Sequence, residues 1–270
     1  MRYRYLSDNH CHTDCSFDGT DPAMMLCDSA ARQGLYMLTI TDHCECNEFY
    51  KENYGRAIRQ SYFEARKAAA AFRGRLHVRA GIELGQPMQD LKAADEALSM
   101  CDFDFTLGSI HNVAGQPDFY FLNYETVDLP PLLHAYFDEM LEMVEWGRFD
   151  SLAHMTYPWR YAQGEHGIQI SYEPYWPQID AVLQALIRKG LSLEVNTSGL
   201  RQRMGLTMPD APILMRYKEL GGKRVTIGSD AHRWGDVASG IEEGMSLLHS
   251  LGFTHFAVYT SHKPELCPIQ

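Results

Sequence analysis

His10-Cys11-His12-Thr13-Asp14-Cys15-Ser16-Phe17-Asp18-Gly19 follows a short run, Tyr3 to Leu6, that reads as a first strand. On extended backbone, residues i and i+2 project to one face, so the imidazoles of His10 and His12 can grip one metal ion from a strand end. Asp18 adds a carboxylate six residues after His12, beside a glycine able to turn the chain. One His-x-His pair is weak evidence of a site. It gains weight because a histidine or carboxylate closes nearly every later strand.

Those strands alternate with helices. Pro22 to Gln33 has Asp21 as N-cap, Pro22 at the first helical position and Gly34 as its stop. Leu35 to Ile40 is a compact apolar strand ending in Thr41-Asp42-His43, and Lys51 to Phe72 is an alanine-rich helix. The third strand, Leu76 to Ile82, delivers Glu83, and a helix covers Pro87 to Met100. Phe103 to Ile110 leads into His111, and Phe149 to Ala153 into His154. Between them Leu132, Leu133, Tyr136, Phe137, Met140, Leu141 and Val144 recur at helical spacing. Ile179, Val182, Leu183, Leu186 and Ile187 mark the next helix, stopped by Gly190, and Leu191 to Asn196 is the sixth strand. A helix over Ala211 to Leu220 precedes Arg224 to Gly228, the strand that leads into Ser229-Asp230-Ala231-His232. Asp236 to Leu251 is the last helix and Thr254 to Tyr259 a final strand.

Alternation of this kind argues for a parallel sheet, since parallel neighbours need helical crossovers. Seven such units with an extra strand imply closure into an α/β barrel. With 270 residues and no linker rich in Gly, Ser or Pro, residues 1–270 are expected to form a single domain. The long aromatic-rich loops 112–130 and 155–175 are expected to act as lids around a site.

Composition narrows the function. The formal charge of −11 and the lack of a basic stripe count against a nucleic-acid surface. No apolar run reaches the roughly 18 residues of a membrane span, and Met1-Arg2-Tyr3-Arg4-Tyr5 has no signal-peptide core, so a cytoplasmic protein is expected. Seven cysteines fit reduced thiols, and Cys44-Glu45-Cys46 has no second pair at zinc-finger spacing. Asp14 to Gly19 resembles the start of a calcium loop, but Met25 stands where the bidentate glutamate belongs. No GxSxG elbow supports a serine hydrolase.

The ionisable residues at strand ends are His10, His12, Asp18, His43, Glu83, His111, His154, Asp230 and His232. Barrel active sites gather at the C-terminal face of the strands. A lone histidine there is ordinarily a hydrogen-bonded structural residue, but nine donors over six strands are too many for coincidence. Imidazole and carboxylate without thiolate suit zinc, manganese or iron at hydrolytic centres, and nine donors imply two to three divalent ions.

The ordered set HxHTxxSxDG, TDH, GIE, GSIH, a mid-chain histidine and SDAH resembles the polymerase-and-histidinol-phosphatase (PHP) superfamily, and within it the monofunctional histidinol-phosphate phosphatases. The resemblance runs from His10 to His232. It implies a distorted (β/α)7 TIM-like barrel with a trinuclear metal site at the strand C-terminal ends, and hydrolysis of L-histidinol phosphate, a small phosphate ester. By position it implies a first metal on His10, His12, Glu83 and Asp230. A second would share Glu83 and add His111 and His154, and a third would take Asp18, His43 and His232.

Phosphate-ester chemistry adds further expectations. Adjacent metal ions ionise a bridging water and offset phosphate charge, with His43 close to the chemistry. Arg160 is the first candidate for a guanidinium clamp, with Arg201 and Arg203 next. Asp14 or a metal-bound water could protonate the leaving group. Tyr157, Trp159 and Tyr161 could stack on an imidazole-bearing substrate. Rival readings are a nucleotide-directed PHP phosphoesterase or exonuclease, an amidohydrolase, and a non-catalytic metal-binding module. The amidohydrolase reading leaves Asp18, His43 and His232 without a role. Oligomeric state is silent in the sequence.

Overall fold

The structure, a computed structural model, describes residues 3–270. Seven parallel strands follow one another around a barrel: β1 (Ser7–Cys11), β2 (Met37–Ile40), β4 (His77–Gly85), β5 (Phe105–Ser109), β6 (Ser151–Leu152), β7 (Ser192–Asn196) and β8 (Val225–Gly228). A short extra strand, β3 (His43–Glu45), pairs in parallel with the second half of β4, where His43 lies opposite Glu83. The ring closes between β8 and β1 through a single bridge, Cys11 to Ala231. There Asp230 N donates to His10 O at 2.8 Å and His12 N to Ala231 O at 2.8 Å.

Helices wrap the outside: α1 (Ala23–Arg32), α2 (Tyr54–Ala71), α3 (Leu91–Ser99), α4 (Leu129–Trp146), the short α5 (Tyr157–Trp159), α6 (Trp176–Lys189), α7 (Ala211–Glu219) and α8 (Ile241–Ser250). The largest core cluster joins Leu133, Tyr136 and Phe137 of α4 to Ile179, Val182 and Leu183 of α6 and Leu193 and Val195 of β7. A second cluster packs Leu26 and Ala30 of α1 and Ala65 and Ala68 of α2 over Leu38 and Ile40 of β2. Such one-sided stripes are what a helix covering a sheet needs.

Several expected boundaries move for identifiable reasons. Tyr3 to Leu6 is not the first strand. Pairing starts at Ser7, and the polar run that follows is satisfied by the neighbouring strand end: Asp8 accepts from Ser229 N at 2.8 Å, and Asn9 Nδ2 donates to Ile227 O at 3.0 Å. Asp21 does not cap α1; its carboxylate accepts from Trp234 N at 2.9 Å, and Pro22 takes the cap position. Glu83 lies inside β4 rather than at its end, because β3 prolongs the pairing to Gly85. The expected final strand is β9 (His255–Thr260), and it turns back as an antiparallel partner, β10 (Lys263–Pro268). Tyr259 Oη reaches Ser192 Oγ at 2.7 Å at the start of β7, so this hairpin covers the end of the barrel opposite the strand C-termini.

Leu193 is fully buried at the junction of β7 with the main core. Leu193→Ala is expected to lower unfolding stability by about 2–5 kcal/mol, read from urea denaturation.

Candidate metal centre

Glu83 is the centre of the site and has no exposed surface. Its Oε1 lies 2.9 Å from His154 Nε2 and 3.2 Å from His111 Nε2. Its Oε2 lies 3.0 Å from His43 Nδ1, 3.2 Å from His10 Nε2 and 3.4 Å from His12 Nε2. Asp230 Oδ1 stands 3.5 Å from His12 Nε2 and 3.8 Å from His10 Nε2. Asp18 stands 3.1 Å from His232 Nε2 and 3.7 Å from His43 Nε2. All nine strand-end residues therefore meet in one place.

The donors overlap around Glu83: His10, His12 and Asp230 lie near its Oε2, His111 and His154 near its Oε1, and Asp18 between His43 and His232, while His43 Nδ1 also reaches Glu83 Oε2 and links the sets. Metal–ligand bonds of about 2.0–2.2 Å at tetrahedral angles give ligand–ligand edges of roughly 3.3–3.6 Å. The observed separations fall around that edge length. The Nε2 atoms of His10, His12 and His232 and Oε2 of Glu83 are buried and make no hydrogen bond. Buried polar atoms are otherwise almost always paired, so the donor set fits a cluster whose missing partners are cations.

A second tier of carboxylates holds these ligands. Glu194 Oε1 lies 2.8 Å from His10 Nδ1, while its Oε2 accepts from His154 N at 2.8 Å. Glu45 Oε1 sits 3.1 Å from His111 Nδ1 and 3.2 Å from His43 Nδ1. A carboxylate on Nδ1 fixes the ring and leaves Nε2 to face the centre. Asp42 accepts from Thr13 N at 2.6 Å and from Ser16 Oγ at 2.7 Å, shaping the turn between His12 and Asp18. Asp8 accepts from Ala238 N at 2.9 Å as well as from Ser229, and so fixes the loop that carries Asp230. His154 and Asp230 have left-handed backbone, at φ 22° and 54°, a strain that only a tightly determined site sustains. Sequence reasoning missed Glu45 and Glu194. The i, i+2 rule that pairs His10 with His12 also places Glu45 beside His43.

Electrostatics follow the geometry. Burial favours neutral forms, but in His10 it is outweighed by Glu194, Glu83 and Asp230, which raise the ring well above its ordinary value. His111 is pushed up to about 10 by Glu45 and Glu83, against the same burial. Burial lowers His12, and the neighbouring His43 and His232 lower it further. Glu83 is held well below the usual carboxylate range, despite burial, by His10, His43 and His111. Asp18 falls to about 2, with His232 and His43 overcoming its burial.

The wall above the donors is made by Phe17, Asp118, Tyr157, Arg160 and Tyr161. Arg160 Nη1 stands 3.4 Å from Asp230 Oδ2, and its guanidinium lies over the Tyr161 and Tyr157 rings. Loop 155–175 thus covers the centre as expected. Trp159 does not face it; the ring is buried and stacks on Tyr172 at 5.2 Å. Arg201 does not line this cavity but braces its edge: its guanidinium donates to the carbonyls of Ser229 and Asp230, on the strained backbone beside the Asp230 carboxylate. Arg203 is 75% exposed and pairs with Glu165 at 3.7 Å. Asp14 is exposed and lines a neighbouring groove instead of the centre. Asp118, which loop 112–130 brings to the wall, carried no motif that singled it out.

A family model for the PHP domain matches residues 8–198. A probable histidinol-phosphatase of Clostridium acetobutylicum is 31% identical over 227 residues, 83% of this chain and 86% of that protein. A probable histidinol-phosphatase of Thermotoga maritima is 29% identical over 261 residues, 94% of this chain and 95% of its own. The crystal structure of histidinol phosphate phosphatase from Lactococcus lactis subsp. lactis, complexed with zinc, L-histidinol and phosphate, shares the fold. It has a TM-score of 0.75 at 21% identity and covers 96% of this chain and 98% of that one.

Metal loading should release protons. His111, raised to about 10 without metal, stays protonated until pH passes that value, and a ligating imidazole must be neutral. Zinc titration at pH 7.5 is therefore expected to give enthalpies that track the ionisation enthalpy of the buffer, with affinity rising from pH 6 to pH 9. Equal enthalpies in two non-coordinating buffers of different ionisation enthalpy would contradict it.

Proposed function

The chain belongs to the PHP domain family, and from that premise we propose that it is a metal-dependent phosphomonoesterase converting L-histidinol phosphate to L-histidinol and inorganic phosphate. The observation that carries this reading is the gathering of eight imidazole and carboxylate groups around a ninth, Glu83, with buried donor atoms that have no hydrogen-bonding partner. His10, His12, Glu83 and Asp230 would hold one divalent ion. Glu83, His111 and His154 would hold a second, and Asp18, His43 and His232 a third, giving two to three ions of zinc, manganese or iron. Ions at these positions supply an ionised water near neutral pH and offset the charge of the phosphate oxygens.

The chain's own groups do the rest. Arg160 presents a planar fork of donors to the phosphate oxygens, oriented by Asp230 and the two tyrosine rings. Glu45 and Glu194 keep His43, His111 and His10 in their binding orientation. The substrate assignment rests on the relatives named histidinol-phosphatase, and the formal charge of −11 supports a small ester over a nucleic-acid polymer.

Steady-state phosphate release by the metal-replete protein tests the reading. kcat/KM for histidinol phosphate is expected to exceed that for a nucleoside monophosphate by several orders of magnitude, and a chelator should abolish both. Preference for the nucleotide, or for a phosphodiester assayed separately, would overturn the substrate assignment.

A further inference from the structure

Two cavities meet at the site. The smaller, about 70 Å³, contains Glu83, His111, His154 and Arg160. The larger, about 710 Å³, is a groove lined by groups such as Asn47, Gln86, Asn112 and Gln116. Phe17 and Asp118 are the residues that line both. An ester whose phosphoryl group occupies the smaller cavity and whose organic part lies in the groove must pass its bridging oxygen between them. Of the two, only Asp118 can carry a proton.

We propose that Asp118 is the general acid that protonates the leaving alkoxide. This rests on the phosphomonoesterase reading above. An alkoxide is a poor leaving group, and a positioned acid typically contributes about 10²–10⁴-fold to such a step. The attacking water oxygen bonds to phosphorus as the bond from phosphorus to the ester oxygen breaks. The released electron pair stays on the ester oxygen, which takes the Asp118 proton and departs as the alcohol. The proton given up by the attacking water balances the one that returns to Asp118 through solvent in the groove.

The carboxyl is fixed for this task. Asp118 Oδ1 accepts from Tyr120 N at 2.7 Å, capping the turn Phe119–Phe121, and from Tyr157 Oη at 3.2 Å. Burial pushes it above the usual carboxylate value, aided by Glu45; the charge on His111, the Tyr120 amide and the Tyr157 hydroxyl pull the other way, and Arg160 and Tyr161 also face it. Other candidates are poorer acids or lie elsewhere. Burial drives the Tyr157 phenol well above its ordinary value, a guanidinium keeps its proton, and Asp14 lines only the groove.

The test compares Asp118→Asn with the parent protein on histidinol phosphate, on propyl phosphate, whose organic part has no charge, and on p-nitrophenyl phosphate, whose leaving group needs no proton. The amide retains an acceptor for the cap, and metal content and inhibition by inorganic phosphate report whether the centre is intact. kcat is expected to fall about 10²–10³-fold on both alkyl esters, with a loss at least tenfold smaller on the aryl ester. Equal losses on all three would overturn the proposal in favour of a positioning role. A loss confined to histidinol phosphate would overturn it in favour of cation binding, and no loss on the alkyl esters would overturn it outright. A parent protein that hydrolyses none of the three would bring down the phosphomonoesterase reading itself, a failure distinct from that of Asp118.

Discussion

A carboxylate without exposed surface cannot remain ionised alone, because the low dielectric around it makes an unpaired charge cost several kcal/mol or more. Glu83 is such a group: five ring nitrogens stand within 3.4 Å of its two oxygens, and His10, His43 and His111 hold its carboxyl well below the usual range. Those imidazoles come from β1 and its end, β3, and the loops after β5 and β6. Their convergence requires the barrel to be closed and in register. A one-residue slip in any of these strands would point its ligand into the helical layer instead.

The same demand explains the outer carboxylates. Glu45 and Glu194 supply negative charge behind the rings, so the cluster alternates sign outward from its centre. Close approach of backbone to ligand is part of the arrangement: a Cβ on Gly228 would lie 2.4 Å from His10 Cβ and 2.6 Å from Glu194 Oε1. Glycine at that point in β8 lets the first ligand and its support occupy the same layer of the barrel. Arg201 and Asp8 then hold the strained loop of Asp230 from both sides. Function and fold share these contacts.

Much of this was legible in the residue order. Parallel strands alternating with helices bring every strand C-terminus to one face, so ligands far apart in sequence could be expected together without any tertiary information. Pattern failed where tertiary contacts decide. β3 is three residues long and exists through its pairing with β4, and β10 is polar and exposed except near its end. Glu194 reads as an ordinary alternating strand position, and Asp118 as a loop residue. The turn after His12, pinned by Asp42, carries Asp14 to the neighbouring groove, and Arg203 lies at the surface against Glu165.

A multinuclear metal centre at Glu83, as proposed here, and a network of buried ion pairs make opposite predictions for bound cations. Anomalous X-ray diffraction from crystals of the protein loaded with zinc distinguishes them. A metal centre gives peaks on both sides of the Glu83 carboxylate, about 3.5–4 Å apart, with a further peak between Asp18, His43 and His232. Absence of any peak within bonding distance of Glu83, with zinc present in the crystal, would contradict it.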